Sequence, residues 1–207
     1  MARARIDAPL LDNVDISFFR VNQLVFDAPQ LSHFISRTET FVTPHRAHLA
    51  ISNHQVCAIL YRKKGPYDHK VLSFRLSCEQ SDSHLSLLVQ VYTSALAPLP
   101  TLEHLYIHEY RRLLWDADGE NTQWQEALRP FTSVKDLYLS EKLGSSRLIA
   151  PVLSDLAGES VTEVLPALQN LSLKWPRRSG FMQEAIDRFV TARQLSGRPV
   201  TVAVHQK

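Results

Sequence analysis

A stacked α/β chain, with strands in a mostly parallel sheet and helices outside it, is the fold class the sequence predicts. Three observations predict it. The pattern leucine-x-x-leucine-x-leucine, with valine or isoleucine as substitutes, is written in LPTLEHLYIHEY at 99–110, FTSVKDLYLSE at 131–141 and LPALQNLSLKW at 165–175. The copies are evenly spaced: Leu105 to Leu137 is 32 residues and Leu137 to Leu171 is 34. Between copies the apolar period changes from two to three and four, which is the change from strand to helix. A strand–helix unit has an apolar face that it cannot bury alone, and stacking the units buries those faces in one core.

The elements follow in order. Leu11, Val14 and Ile16 make a first strand copy. Leu24, Phe26, Leu31, Phe34 and Ile35 form a less regular segment with a turn at Asp27-Ala28-Pro29. Weaker strand copies align as Arg46, Leu49, Ile51 and as Val71, Phe74, Leu76. QVCAILYR at 55–62 and KVLSFRLS at 70–77 both alternate like strands and flank the turn signal Gly65-Pro66, either as a hairpin or as an inter-repeat loop with a strand. Leu85, Leu88, Val89 and Tyr92 predict a helix over 82–95, with Ser81 placed to cap it. After the strand at Leu102, Leu105 and Ile107, Trp124, Leu128 and Phe131 predict a short helix over 121–130. Val134, Leu137 and Leu139 make the next strand; Leu148, Val152, Leu153 and Leu156 the next helix, over 145–157, stopped by Gly158. Leu168, Leu171 and Leu173 are followed by the clearest helix, 180–195, on Phe181, Ala185, Ile186, Phe189 and Val190, with Gly197 and Pro199 beyond it. Val200, Val202 and Val204 read as a last, isolated strand.

This order at this spacing points to an irregular leucine-rich-repeat-like solenoid, one domain over 1–207, with helices on the convex side and modest curvature. Two departures stand out. The period exceeds the usual 20–29 residues. The asparagine expected three places after the last leucine is replaced by Phe19, Tyr110, Lys142 and Pro176, so the backbone groups of those turns need other partners.

Composition narrows the function classes. The chain of 207 residues is 44% hydrophobic, and 23 basic against 21 acidic residues leave a net charge of +2. That balance gives no nucleic-acid or acidic-membrane footprint; Arg62-Lys63-Lys64 and Arg177-Arg178 read as solvated turns. Cys57 and Cys78 are too few for a disulfide framework and read as buried free thiols of a reducing compartment. No run approaches a bilayer span, and Asp7, Asp12 and Asp15 stand where a secretory signal needs its apolar region. A cytoplasmic or nuclear monomer is the expectation.

The positions between buried ones face outward and align across strands into one surface. They are Asp15, Ser17, His48, Ala50, Arg75, His104, Tyr106, His108, Asp136, Tyr138, Asn170, Ser172 and Lys174, with Tyr106 and Tyr138 side by side. Tyrosine and histidine on a rigid open surface suit protein recognition, so the expected partner-binding residues are Tyr106, Tyr138, His104, His108, Asp136, Arg75 and Lys174; the competing reading is that they only pack against a terminal extension or each other. A metal site is not expected: His104 and His108 are about 13 Å apart along a strand, and His45, His48 and His54 lack partners at metal spacing. No G-x-S-x-G, phosphate-binding or dinucleotide-binding glycine motif occurs, and the acids Glu103, Glu109, Asp116 and Asp118 near Trp115 read as polar-loop residues, not as a catalytic pair. No catalytic residue and no cofactor is expected.

APLLDNVDISFF at 8–19, QLVFDAPQLSHFISRTETF at 23–41, VKDLYLSEKL at 134–143, GESVTEVLPALQNLSL at 158–173 and FVTARQLSGRPV at 189–200 resemble the C-terminal region of F-box-like proteins of mushroom-forming (basidiomycete) fungi. The resemblance covers nearly the whole chain and departs from the family's wording at Phe181-Met182-Gln183-Glu184. It implies a leucine-rich-repeat-like arm that binds proteins or recruits substrates to a ubiquitin ligase, with no catalytic residues. The F-box itself has no counterpart in these residues, which implies a fragment or a truncated relative, since a repeat stack also needs a polar cap before its first unit. Two alternatives stay open: a structural or degenerate repeat domain without a partner, and an enzyme with a site in the irregular region 45–69.

Overall fold

The computed structural model describes residues 14–18, 43–52, 55–77, 100–109, 123–140, 149–157, 163–175 and 180–206. Among them are β1 (Val14–Phe18), β2 (Arg46–Ser52), β3 (Gln55–Lys64), β4 (Tyr67–Ser77), β5 (His104–Glu109), α1 (Gln123–Leu128), β6 (Asp136–Ser140), α2 (Ile149–Leu156), β7 (Asn170–Trp175), α3 (Gly180–Leu195) and β8 (Thr201–Gln206). The fold is α/β. Among the described residues one sheet of 8 strands runs in the order β1-β4-β3-β2-β5-β6-β7-β8, and its end strands β1 and β8 do not pair with each other. All its pairings are parallel except β2 with β3 and β3 with β4.

Alternation along each strand divides the sheet into two faces. Two buried rows cross every strand. One runs Val14, Leu72, Leu60, Ala47, Leu105, Leu137, Leu171, Val202; the other runs Ile16, Phe74, Ala58, Leu49, Ile107, Leu139, Leu173, Val204. Only at their ends do these rows lose their cover, and Val204 is 43% exposed. Trp124, Ala127 and Leu128 of α1, Ile149, Val152, Leu153 and Leu156 of α2, and Met182, Ala185, Ile186 and Phe189 of α3 join the rows in one hydrophobic cluster. The described helices therefore all pack on one face of the sheet, the face of the buried rows.

The three matched copies lie in register, as the spacing predicts: Leu105, Leu137 and Leu171 are neighbours, as are Ile107, Leu139 and Leu173. A backbone device repeats with them. The carbonyl just before each strand accepts two N–H groups from the next copy: His45 O from Glu103 (2.9 Å) and His104 (3.0 Å), Glu103 O from Lys135 (2.9 Å) and Asp136 (3.0 Å), Lys135 O from Gln169 (2.8 Å) and Asn170 (2.9 Å). This satisfies donors that would otherwise be stranded where the ladder begins.

The front of the chain differs from the expectation. Arg46 is no core position: Leu49 pairs with Ile107 and Ala47 with Leu105, a shift of two residues from the alignment on Arg46, Leu49 and Ile51. The copy Val71, Phe74, Leu76 is displaced in the same way, because Val14 meets Leu72 and Ile16 meets Phe74. Region 45–69 is not irregular: β2, β3 and β4 form an antiparallel meander within the sheet. The hairpin reading is the one realised between β3 and β4, across Gly65-Pro66 with Gly65 at φ 65°, as a tight two-residue hairpin loop requires. A bulge opposite Leu60/Tyr61 leaves Val71 outside the pairing, so that Val71 and Leu72 are both buried. Cys57 lies on the outward face, half-buried and free, where a buried thiol was expected. The last strand is not isolated but pairs with β7.

Helix α3 matches its expected span of 180–195; α1 ends at Leu128 and α2 at Leu156, before their expected ends at 130 and 157, while 121–122 and 145–148 lie outside the described residues. The expected helix at 82–95, the segment 24–35, Leu11, Cys78, His54, the loop around Trp115 and the turn positions Phe19, Tyr110, Lys142 and Pro176 lie outside the described residues.

Candidate interaction face

Three outward rows complement the buried ones. The central row runs Asp15, Ser73, Ile59, His48, Tyr106, Tyr138, Ser172, Ala203. Its middle is a column of rings. His48 and Tyr106 stack at 4.5 Å with 27° between planes. Tyr106 and Tyr138 stack at 4.1 Å and 1°. Tyr61 of β3 packs against the other side of His48 at 4.8 Å, tilted 55°. Parallel neighbours in register place identical side chains one strand spacing apart, about 4.8 Å, which suits offset ring stacking. The Arg46 guanidinium lies 5.2 Å from the Tyr106 centroid, close enough for a cation–π contact.

This packing shifts protonation. Burial, then the nearby His108 and Arg46 charges, push the His48 imidazole down to about 4. Burial, then the hydrogen bond with Tyr138, push the Tyr106 phenol up to about 12. At neutral pH both rings are therefore uncharged.

Below the rings, where the strands begin, acids and bases pair. Asp68 meets His45 Nε2 at 3.0 Å and also the Arg46 guanidinium. Asp136 Oδ2 lies 2.7 Å from His104 Nδ1, short but poorly aligned for a hydrogen bond, and Asp136 Oδ1 accepts from Asn170 at 2.7 Å. Lys135 and Glu103 pair at 2.6 Å, and Lys70 and Asp15 at 2.9 Å. The hydrogen bond from Lys135 holds the Glu103 carboxyl below its usual range, as that from Lys70 does for Asp15. The His45 and His104 rings meet edge to face at 5.9 Å.

Of the residues singled out from sequence, Tyr106, Tyr138, His104, Asp136 and His108 share one patch on β5 and β6; His108 lies 6.3 Å from His48. Lys174 is at its edge, with Ser140 between it and His108. Arg75 is not in the patch: Cys57 and Ala50 separate it from His108, about 14 Å across the strands. Sequence reasoning missed Tyr61 and Arg46. The alternation Val56, Ala58, Leu60 implied an outward Tyr61, but nothing local told which strand would lie beside it. Arg46 stands where the repeat alignment places a core leucine, two residues out of the register that β2 and β5 adopt.

Among the described residues, no group of three or more His, Cys, Asp or Glu is placed to hold a metal ion, and no helix is long and apolar enough to cross a membrane. A groove of about 720 Å³ follows the solvent side of α3 and is lined by Gln183, Glu184, Asp187, Arg188, Thr191, Ala192 and Leu195, away from the rings. No family model, no curated protein and no solved structure matches the chain.

Proposed function

We propose that this chain is a non-enzymatic protein-recognition domain, an irregular leucine-rich-repeat-like solenoid that engages a partner protein through its outward strand face. The observation that carries the reading is the ring column Tyr61, His48, Tyr106, Tyr138 on the face that the described helices leave open. Rigid aromatic surface with low side-chain entropy is what recognition sites concentrate. The resemblance to the C-terminal region of F-box-like proteins adds substrate recruitment to a ubiquitin ligase as the context, and with it a cytoplasmic or nuclear setting. No nucleic acid or membrane belongs to this reading, and the chain acts as a monomer.

Capture from cell lysate, read by mass spectrometry, tests it. Wild type is run beside the Tyr106→Ala/Tyr138→Ala double variant. The expected outcome is a partner, foremost a ubiquitin-pathway substrate, that the double variant loses, with affinity lower by about 2 kcal/mol or more and a cooperative melt retained. Identical captured proteins would reject this surface.

One observation favours a second reading. Both faces of the Tyr106 ring are occupied, by His48 and by Tyr138, as in a column whose purpose is to stiffen the sheet. On that reading the double variant lowers the melting temperature and leaves the captured proteins unchanged.

A further inference from the structure

Among the described residues the ring column is closed at one end and open at the other. Ile59, in the same row, and Tyr61 flank His48 on the β3 side. On the other side the row drops from the Tyr138 phenol to the hydroxymethyl of Ser172 and the methyl of Ala203. The Tyr106 and Tyr138 planes are parallel within 1°, and their centroids are 4.1 Å apart on adjacent strands. The line between the centroids therefore runs from strand to strand, and the far face of Tyr138 looks along the sheet towards β7. Among the described residues no ring or cation lies over that face. The result is a step one ring high, with Tyr138 as its wall and Ser172 and Ala203 as its floor.

The charges around the step have a sign. Each described acid on this face has a basic partner: Asp15 with Lys70, Asp68 with His45 and Arg46, Glu103 with Lys135, and Asp136, which borders the step at the strand starts, with His104. At the step's other end a base stands without an acid. Lys174 is exposed, has no ion pair with a described residue, and lies in register with His205.

We propose that the step seats an aromatic side chain from an acidic peptide segment of the partner, which stacks on Tyr138 and adds one rung to the column while its carboxylates meet Lys174. The proposal rests on the recognition reading above and names its chemistry. The guest ring lies over Ser172 at the strand spacing of about 4.8 Å, the same offset geometry that the protein's own rings adopt. An aliphatic side chain lacks the π-face, and a basic segment meets Lys174 with the wrong sign. A base stacked on the same tyrosine is disfavoured because one lysine does not make the positive groove that tracks a phosphate backbone, in a chain with a net charge of only +2.

The test is a two-dimensional amide NMR titration of the full chain with acetyl-DDWDD-amide. Acetyl-DDLDD-amide, acetyl-KKWKK-amide and adenylate serve as comparison probes. The expected result is shifts centred on Ser172, Ala203 and Lys174, with binding about tenfold or more weaker for the leucine and lysine peptides. Ser172→Tyr fills the step from within and Tyr138→Leu removes its wall. Each should weaken DDWDD binding by about tenfold or more, with the far-UV circular dichroism of wild type. Equal binding of the leucine peptide, tighter binding of adenylate than of DDWDD, or undiminished binding by Ser172→Tyr overturns the proposal. If Ser172→Tyr retains a captured partner that Tyr106→Ala/Tyr138→Ala loses, the face stands and the step falls.

Discussion

His48 is held neutral by its place among the rings, and Asp155 resists ionising for the same physical reason, burial, although it acts on the opposite charge. Their effects on stability have opposite signs. The His48 pKa is pushed down to about 4 from an ordinary value of 6.5. As pH falls from about 6.5 to 4 the unfolded chain binds a proton that the folded one refuses, and stability is lost. Asp155 is 8% exposed. Burial pushes its carboxyl up to about 6, against the opposing hydrogen bond from the Trp124 backbone N–H. Its stability contribution is complete below about 3.8 and is lost as pH rises through about 6. A shift of two units is worth about 3 kcal/mol at most, so the two residues oppose each other between about pH 4 and 6. Urea melts of wild type, His48→Phe and Asp155→Asn at pH 4.5 and 7 separate them. His48→Phe should improve on wild type more at pH 4.5 than at 7. Asp155→Asn should be more stable than wild type at pH 7, by about 2 kcal/mol, with the advantage shrinking at pH 4.5. Parallel offsets at both pH values would show that neither group responds to burial in this way.

At the scale of elements, α3 shows how much one helix depends on its ends. Met182, Ala185, Ile186, Phe189 and Arg193 share its buried stripe. Arg193 extends that stripe as a polar anchor: its Nη2 donates to Leu168 O at 3.1 Å and approaches Leu165 O at 3.4 Å. It thereby fixes the turn into β7, where Leu165 takes φ 49°. The helix stops at Gly197, φ 73°, with Gly197 N donating to Gln194 O at 3.0 Å and Arg198 N to Arg193 O at 3.0 Å, the paired bonds of a Schellman ending. A Cβ at Gly197 meets nothing within 4 Å. Gly197→Ala should therefore cost about 1–2 kcal/mol through backbone conformation alone. Arg193→Met should cost about 2 kcal/mol by leaving carbonyls of the turn unbonded. Thermal melts check both, and a neutral Gly197→Ala would refute the ending. This helix was legible in the sequence to the residue because its stripe, Gly197 and Pro199 are all local signals. β2 and β4 were misplaced by two residues for the complementary reason. Ala47 is too small to register as a core anchor, and the bulge at Val71 breaks the alternation that sets the register. The ring column was half legible: Tyr106 and Tyr138 follow from the repeat, while Tyr61 joins it through the antiparallel β2–β3 pairing and Arg46 through the two-residue shift of the parallel β2–β5 pairing, neither of which a local pattern encodes.

At the scale of the molecule, the consequence is a sheet that the repeat alone would not build. The repeat accounts for β5 to β7, each beside the next, and β8 continues their order. The meander turns the front of the chain back, so that β1 reaches the sheet through β4 instead of β2. Both parts nevertheless share the same two buried rows, and the cluster runs from Ala47 to Val200 without a break in kind. Leu137 is fully buried in one of those rows, between Leu105 and Leu171. If the sheet is one cooperative unit, Leu137→Ala should lower stability by about 2–5 kcal/mol in a single transition. Amide exchange should then accelerate by a common factor in β2 and β7 alike, since both open only when the whole sheet does. An unaltered melting temperature would refute the register that places Leu137 in the core. Acceleration in β5 to β8 with β2 to β4 unchanged would make the meander a separate folding unit, joined to the repeats at the β2–β5 pairing.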